Sequence, residues 1–287
     1  MTSRIRRACP FGRAVAAPPL RTRRAGPWGP AVWIALAVSL AAQGPPGGRA
    51  GGPPPTAKAA ARADFTGYWV SIVSEDWRWR MITPARGDYA NIPINAAART
   101  IADAWDPAKD QAAGEACKAY AAPAIMREPG RLQITWQDDN TLKIETDAGM
   151  QTRLLRFVVA GNVQPAASEP TWQGTSVARW EAPPRGTAGN TIPLGLGARA
   201  GTDTRTLEVT TTRIRPGYLR KNGVPFSADT SVTEYFDLFK DPDGVDWFVV
   251  TTIVRDQQFL NGPWVTTSHF KKEPNGAKWK PTPCAVR

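Results

Sequence analysis

The feature that most constrains this chain is the rhythm of its second half. Short runs of alternating or β-branched residues, each about one strand long, are separated by turn signals. Residues 132–137 (LQITWQ) meet 141–146 (TLKIET) across Asp138-Asp139-Asn140, and Asp147-Ala148-Gly149 leads into 151–159 (QTRLLRFVV). Residues 173–181 (QGTSVARWE) and 206–215 (TLEVTTTRIR) continue the series. Residues 231–239 and 245–255 flank Lys240-Asp241-Pro242-Asp243-Gly244, a hairpin signal, and 264–271 (WVTTSHFK) ends it. With 64–74 (DFTGYWVSIVS) this makes eight or nine strands, which predicts an all-β domain, either an antiparallel barrel or a sandwich. A single closed barrel is expected, because closure leaves no unpaired edge.

One section reads as helix. Asn95 is placed to cap 96–105. Asp106 precedes proline at the first position of a second helix over about 107–120, where Gly114 is a weak point. Residues 183–204 (PPRGTAGNTIPLGLGARAGTDT) interrupt the strands with a glycine-rich insertion, expected to be flexible.

The stretch 74–89 (SEDWRWRMITPARGDY) alternates tryptophan with arginine. Period-two alternation predicts a strand with Trp77, Trp79 and Met81 on one face and Asp76, Arg78 and Arg80 on the other. With the tryptophans inward, the stretch is barrel wall. With the charges inward, it is a polar site that needs partners. Tryptophans inward is the expected orientation.

The first 42 residues differ from the rest. Arg4, Arg6, Arg7, Arg13, Arg21, Arg23 and Arg24 precede an apolar run, 31–42 (AVWIALAVSLAA), with no acidic residue among them. This is the pattern of a Sec-type signal peptide, and the run is too short to span a bilayer. A periplasmic or secreted location is expected, with no stable membrane span after the leader is removed. Of 36 Lys and Arg, seven go with the leader, so the formal excess over 25 Asp and Glu becomes small. A nucleic-acid partner is therefore not implied. Residues 43–63 (QGPPGGRAGGPPPTAKAAARA) read as a Pro/Gly-rich disordered linker, leaving 64–287 as the folded domain. Of three cysteines, Cys9 lies in the leader. Cys117 and Cys284 are expected to form one disulfide in an oxidising compartment.

Absences restrict the chemistry. His269 is the one histidine, which excludes a multi-histidine metal site, and no phosphate-binding glycine loop or nucleophile elbow is present. No metal or cofactor is expected. Candidate acid–base residues are His269, Tyr218 and Asp256. Candidate ligand-binding residues are Trp77, Arg78, Trp79, Arg80, Tyr89, Arg215 and Tyr218. In 213–226 (RIRPGYLRKNGVPF), Arg213, Arg215 and Arg220 surround Pro216-Gly217-Tyr218. Arginines beside rings can hold a carboxylate or phosphate, although a solvated hairpin explains the same residues.

Residues 64–287 resemble a family of exported bacterial proteins to which no reaction is assigned. The carriers are DFTGYWVSIVSEDWRWRM, GEACKAYAAPAIMREPGRLQITWQDDNTLKIETDAG, SVARWE, TLEVTTTRIRPGYLRKNGVPFS, TEYF, WFVVTTIVRDQQFLNGPWVTTSHFKK and PTPC. The resemblance favours the Cys117–Cys284 pairing, and family members lack the 183–204 insertion. Gly67-Tyr68-Trp69 also resembles the G-x-W that opens lipocalin-type barrels, where the tryptophan plugs one end. The leading expectation is a lipocalin-like barrel that binds a small apolar or carboxylated ligand. A cofactor-free lyase, isomerase or hydrolase and a cell-envelope interaction protein are the alternatives.

Overall fold

The computed structural model describes residues 55–158, 169–181 and 205–286. The expected leader, the first part of the 43–63 linker and the 183–204 insertion lie outside the described residues.

Nine strands form a closed barrel: β1 (Gly67–Ile72), β2 (Arg131–Asp138), β3 (Thr141–Thr146), β4 (Thr152–Phe157), β5 (Thr175–Trp180), β6 (Leu207–Thr212), β7 (Ser231–Lys240), β8 (Asp246–Arg255) and β9 (Trp264–Glu273). Each strand pairs with its neighbour in the chain, and β9 closes on β1, with His269 opposite Ile72 and Lys272 opposite Trp69. An odd number of strands cannot alternate direction all the way round. One pair must be parallel, and it is β4 with β5, registered Leu155 to Ser176. The barrel is therefore mixed, not purely antiparallel as expected.

More helix is present than the sequence suggested. Between β1 and β2 lie α1 (Trp77–Arg80), α2 (Ala96–Asp103), α3 (Pro107–Ala112) and α4 (Ala122–Ile125). The Asn95 side chain caps α2 by accepting from Ala98 N, and Asp106 caps α3 by accepting from Ala108 N. The predicted helix over 107–120 stops early because Gly114 takes a left-handed φ of 71°. The chain resumes as a 3-10 turn, Ala116–Tyr120, which carries Cys117. The Cys117–Cys284 disulfide joins that turn to the C-terminal segment.

Alternation along the strands sends one set of side chains into the lumen. Toward one end the filling is apolar: Trp69, Ile134, Ile144, Leu155, Leu207, Phe236, Phe248, Val250 and Phe270 are all buried in one cluster. Phe248 packs edge-on against Trp69 and stacks on Phe270, each at 4.7 Å between centroids. A fully buried side chain of this size contributes about 1.5–3 kcal/mol. Phe65 sits over the same end, and its main-chain oxygen accepts the indole N–H of Trp69 at 2.8 Å. Residues 55–63, expected as free linker, are partly docked here. Ala57 is buried, its N–H donates to Asn140 Oδ1 at 2.9 Å, and Lys58 N–H donates to Asp139 O at 2.9 Å.

Midway along the lumen the filling becomes polar. Arg153 of β4 reaches across to Glu234 of β7, and both side chains are fully buried. The guanidinium meets both carboxylate oxygens, at 3.1 and 2.5 Å, and Thr211 Oγ1 at 3.4 Å, while Thr211 shares a 2.8 Å bond with Ser176. Buried Thr252 and Thr266 continue this belt beside Glu234 in the strand register.

Beyond the belt a second apolar cluster closes the other end. Val232, Val254 and Trp264 of the barrel pack with Tyr89, Ile92, Ala122, Leu219, Val224 and Phe226 from the loops. The last three belong to a short hairpin, Gly217–Arg220 paired with Val224–Phe226, inserted between β6 and β7. Far from being solvated, this hairpin buries Arg220 and Asn222. Gly223 at its turn has φ of 81°, and a Cβ there would collide with the Trp105 ring.

Candidate functional site

Sequence alternation misassigned Trp77–Arg80. The four residues form one α-helical turn, entered through Asp76 in a left-handed conformation with φ of 49°. A helical turn separates residues that a strand would align. Trp77 is exposed, Trp79 is half-buried, and Arg80 is buried. Arg80 is anchored by its Nε to Arg127 O at 2.8 Å and by Nη2 to Ser71 Oγ at 3.2 Å.

This turn brings three arginines together at the end closed by the 217–226 hairpin. Arg127 follows α4 and donates through Nη2 to Asp76 Oδ2 at 3.0 Å. Arg220, at the end of its hairpin strand, donates through Nη1 to Ala90 O at 2.7 Å. Its guanidinium lies 5.1 Å from the Trp79 ring centre and 6.0 Å from that of Trp264, while Arg127 lies 5.0 Å from Trp264. Asn222 Nδ2 ties the hairpin to the 85–88 loop through Ala85 O and Asp88 O, at 3.1 and 3.0 Å.

A cavity of about 100 Å³ opens among these groups, lined by Trp79, Arg80, Arg127, Glu128, Arg220 and Lys221, with Met81 and Ile82 at its lip. Nine buried side-chain polar atoms lack a hydrogen-bond partner among the described residues. Four are guanidinium nitrogens of this cluster: Arg80 Nη1, Arg127 Nη1, and Arg220 Nε and Nη2. Buried donors without a hydrogen bond cost about 1–3 kcal/mol each, and here four of them belong to three arginines that line one cavity.

The charges do not balance. Asp76 faces Arg127, Glu128 pairs with Lys221 at 2.6 Å, and Glu75 Oε2 stands 3.6 Å from Arg80 Nη1. Arg220 has no carboxylate within ion-pair distance among the described residues. Burial, followed by the charge of Arg127, pushes Arg80 and Arg220 down to about 10. Burial also lowers Arg127 against the pull of Asp76, and it raises Glu128 against the pull of Lys221. Clustered, desolvated cations beside a cavity are the electrostatic signature of an anion site.

The remaining candidates fall elsewhere. Arg78 is exposed and pairs with Asp88 at 2.9 Å, whose other oxygen accepts from Trp79 Nε1 at 3.1 Å. Tyr89 is buried with its hydroxyl on Asp103 at 2.7 Å. Arg215 is exposed, bonded to Glu115 and stacked on Trp172 at 4.3 Å. Tyr218 donates to Asp110 at 2.9 Å, a carboxylate also held by Trp105 and Lys118. Burial, then that bond, raises the Tyr218 hydroxyl well above its ordinary value. Asp256 accepts from Ser227 N, Thr230 Oγ1, Gln258 N and Phe259 N and so ties two loops together. His269 projects from the outer face of β9, against Ser74 Oγ at 3.2 Å and the Glu75 carboxylate. His269, Tyr218 and Asp256 share no partner, and none of them lines the three-arginine cavity. Of the sequence candidates, Trp79 and Arg80 line it. Arg127, Glu128 and Lys221 were missed, and Arg220 stood out only as one arginine of a cluster.

Comparison of the chain with protein-family models, curated proteins and solved structures gave no match.

Proposed function

We propose that this exported protein binds a small molecule with a singly charged oxyanion head, a carboxylate above all, and an apolar body. The head enters the cavity between Arg80, Arg127 and Arg220. The body leaves over Met81 and Ile82. The observation that carries this reading is that three buried arginines lining one cavity hold, among them, four guanidinium nitrogens without a hydrogen bond. A volume of about 100 Å³ suits a carboxylate or similar head and excludes a drug-sized body. Among the described residues lining the cavity, Arg220 alone lacks a carboxylate at ion-pair distance, which favours a single negative charge. The barrel serves as scaffold, since its inward rings and the Arg153–Glu234 pair occupy the lumen. The Cys117–Cys284 disulfide supports an oxidising compartment, in line with a periplasmic or secreted location.

The test is calorimetric titration with medium-chain alkyl carboxylates, alkyl ammonium ions of equal length, and inorganic phosphate. Carboxylates are expected to bind and ammonium ions not to bind. Losing a charge-assisted hydrogen bond costs about 1.5–3 kcal/mol, so Arg220→Gln should weaken carboxylate binding about ten- to hundredfold. Equal binding of both ion types, or an unchanged affinity in Arg220→Gln, overturns the proposal.

A further inference from the structure

The segment that lines the cavity with Arg80 presents a different surface to solvent. Trp77, Met81 and Ile82 are 62%, 59% and 68% exposed. Met81 N–H donates to Trp77 O at 2.9 Å, so these two residues stand four apart on one helical turn, with their side chains on the same face. Ile82 follows directly. Large apolar side chains normally reach the surface singly, whereas here three fall within six residues and form a protruding edge. Cations flank it: Arg78 and Arg86 are exposed and no acidic residue occurs from 77 to 87, the nearest, Asp88, pairing with Arg78 at 2.9 Å. Arg86 donates to the main-chain oxygen of Trp105 and makes no ion pair among the described residues.

An exposed tryptophan beside aliphatic tips and arginines is the composition that settles at a membrane–water boundary. The indole lies at headgroup level, and arginine stems extend their charges toward phosphate. We propose that the 77–86 edge docks this protein on an anionic phospholipid bilayer. Trp77, Met81 and Ile82 enter the headgroup–acyl boundary while Arg78 and Arg86 meet lipid phosphates. The charges choose the occupant. A second copy packed on this edge about a two-fold axis would bring the arginines of one copy close to those of the other, whereas an anionic bilayer complements them. The proposal rests on the exposed rim and not on what the cavity holds. Because Met81 and Ile82 border both, docking would set the cavity mouth against the lipid.

Residues 1–42 carry a basic and apolar run of their own, so the readout must be local to the rim. Hydrogen exchange by mass spectrometry on the full chain is followed with phosphatidylcholine vesicles and with vesicles that also contain phosphatidylglycerol. Amides of 77–86 should gain at least severalfold protection with the anionic vesicles at low salt, and should lose it as salt is raised. Trp77→Ser/Met81→Ser/Ile82→Ser should abolish that protection, with exchange in the barrel strands unchanged as a check on folding. Arg78→Gln/Arg86→Gln should raise the lipid concentration needed for half-protection by about 25-fold, at about fivefold per charge. No protection of 77–86 by anionic vesicles overturns the proposal. So does protection that appears without vesicles as protein concentration rises, which would assign the edge to self-association. Neither result bears on carboxylate binding by Arg220, which is measured without lipid.

Discussion

Removing Arg153 or Glu234 alone should destabilise this protein more than removing both. Glu234 is fully buried, and the hydrogen bonds to both its carboxylate oxygens come from Arg153, at 3.1 and 2.5 Å. In Arg153→Met, the carboxylate is left inside the barrel without a partner. In Glu234→Leu, the guanidinium keeps only Thr211 at 3.4 Å. Breaking a buried pair in this way costs about 3–5 kcal/mol, whereas replacing both partners by apolar residues of similar volume is often neutral or stabilising. For a domain of this size, each kcal/mol shifts the melting temperature by about 2–4 °C, so either single variant should melt about 6–20 °C lower. Arg153→Met/Glu234→Leu should lose less than either single variant, giving a coupling of several kcal/mol in a double-mutant cycle. The assay is urea unfolding followed by tryptophan fluorescence, with circular dichroism to confirm that each variant folds. A double-variant loss equal to the sum of the singles would refute the reasoning, because the two charges would then be solvated independently and the polar belt would be open to water.

Three further outcomes are expected. Cys117→Ser/Cys284→Ser frees a loop of 167 residues, and the chain-entropy relation puts the loss at about 5 kcal/mol, read as a lower urea midpoint; an unchanged midpoint would contradict it. For Asp256, burial opposes ionisation but four donors more than offset it and hold the carboxyl below its ordinary value. It therefore stabilises the fold at pH above about 4 and loses that effect as pH falls through the lowered folded-state value, so Asp256→Asn should destabilise at pH 7 by about 2 kcal/mol and flatten the acid limb of the stability curve. Gly223→Ala adds a Cβ at φ of 81° against the Trp105 ring, which should cost at least about 1 kcal/mol and, by shifting the hairpin that carries Arg220, weaken carboxylate binding in the same titration.

How far the sequence reveals this fold depends on how many residues repeat each signal. Strands six to ten residues long offer several turns of alternation, and their boundaries fall close to the predicted ones. Asn95 and Asp106 announce their helices through side chains favoured at a cap, where both accept a first-turn N–H. The Trp77–Arg80 turn offers one period. Trp77 and Met81 share a face in a strand and in a helix alike, so only Trp79 separates the two geometries. It lies half-buried against Arg220 while its two supposed companions are exposed. The parallel β4–β5 pair likewise follows from the parity of nine strands, which is not settled until each strand is placed.

The site was harder to read than the fold because its parts come from three separate places. Arg80 and Arg127 lie 47 residues apart, on segments that leave β1 and enter β2, and they meet because those strands are neighbours in the barrel. Arg220 joins them through a hairpin between β6 and β7, whose turn fits only because Gly223 leaves room for Trp105. None of the three has a sequence neighbour that marks it as buried, and each resembles the exposed Arg78 or Arg215. The lumen shows the converse. Arg153 and Glu234 sit in ordinary alternating strands, yet their mutual pairing makes a polar belt that the rings on one side and the loop cluster on the other seal from water. Among the described residues, these rings and the buried ion pair occupy the part of the lumen where a lipocalin-like barrel would hold a central ligand. Unpaired donors accumulate instead where strands give way to loops, because turns and short helices cannot pair every guanidinium they bury. The binding proposed at the hairpin end therefore rests on the loops that close the barrel rather than on its lumen.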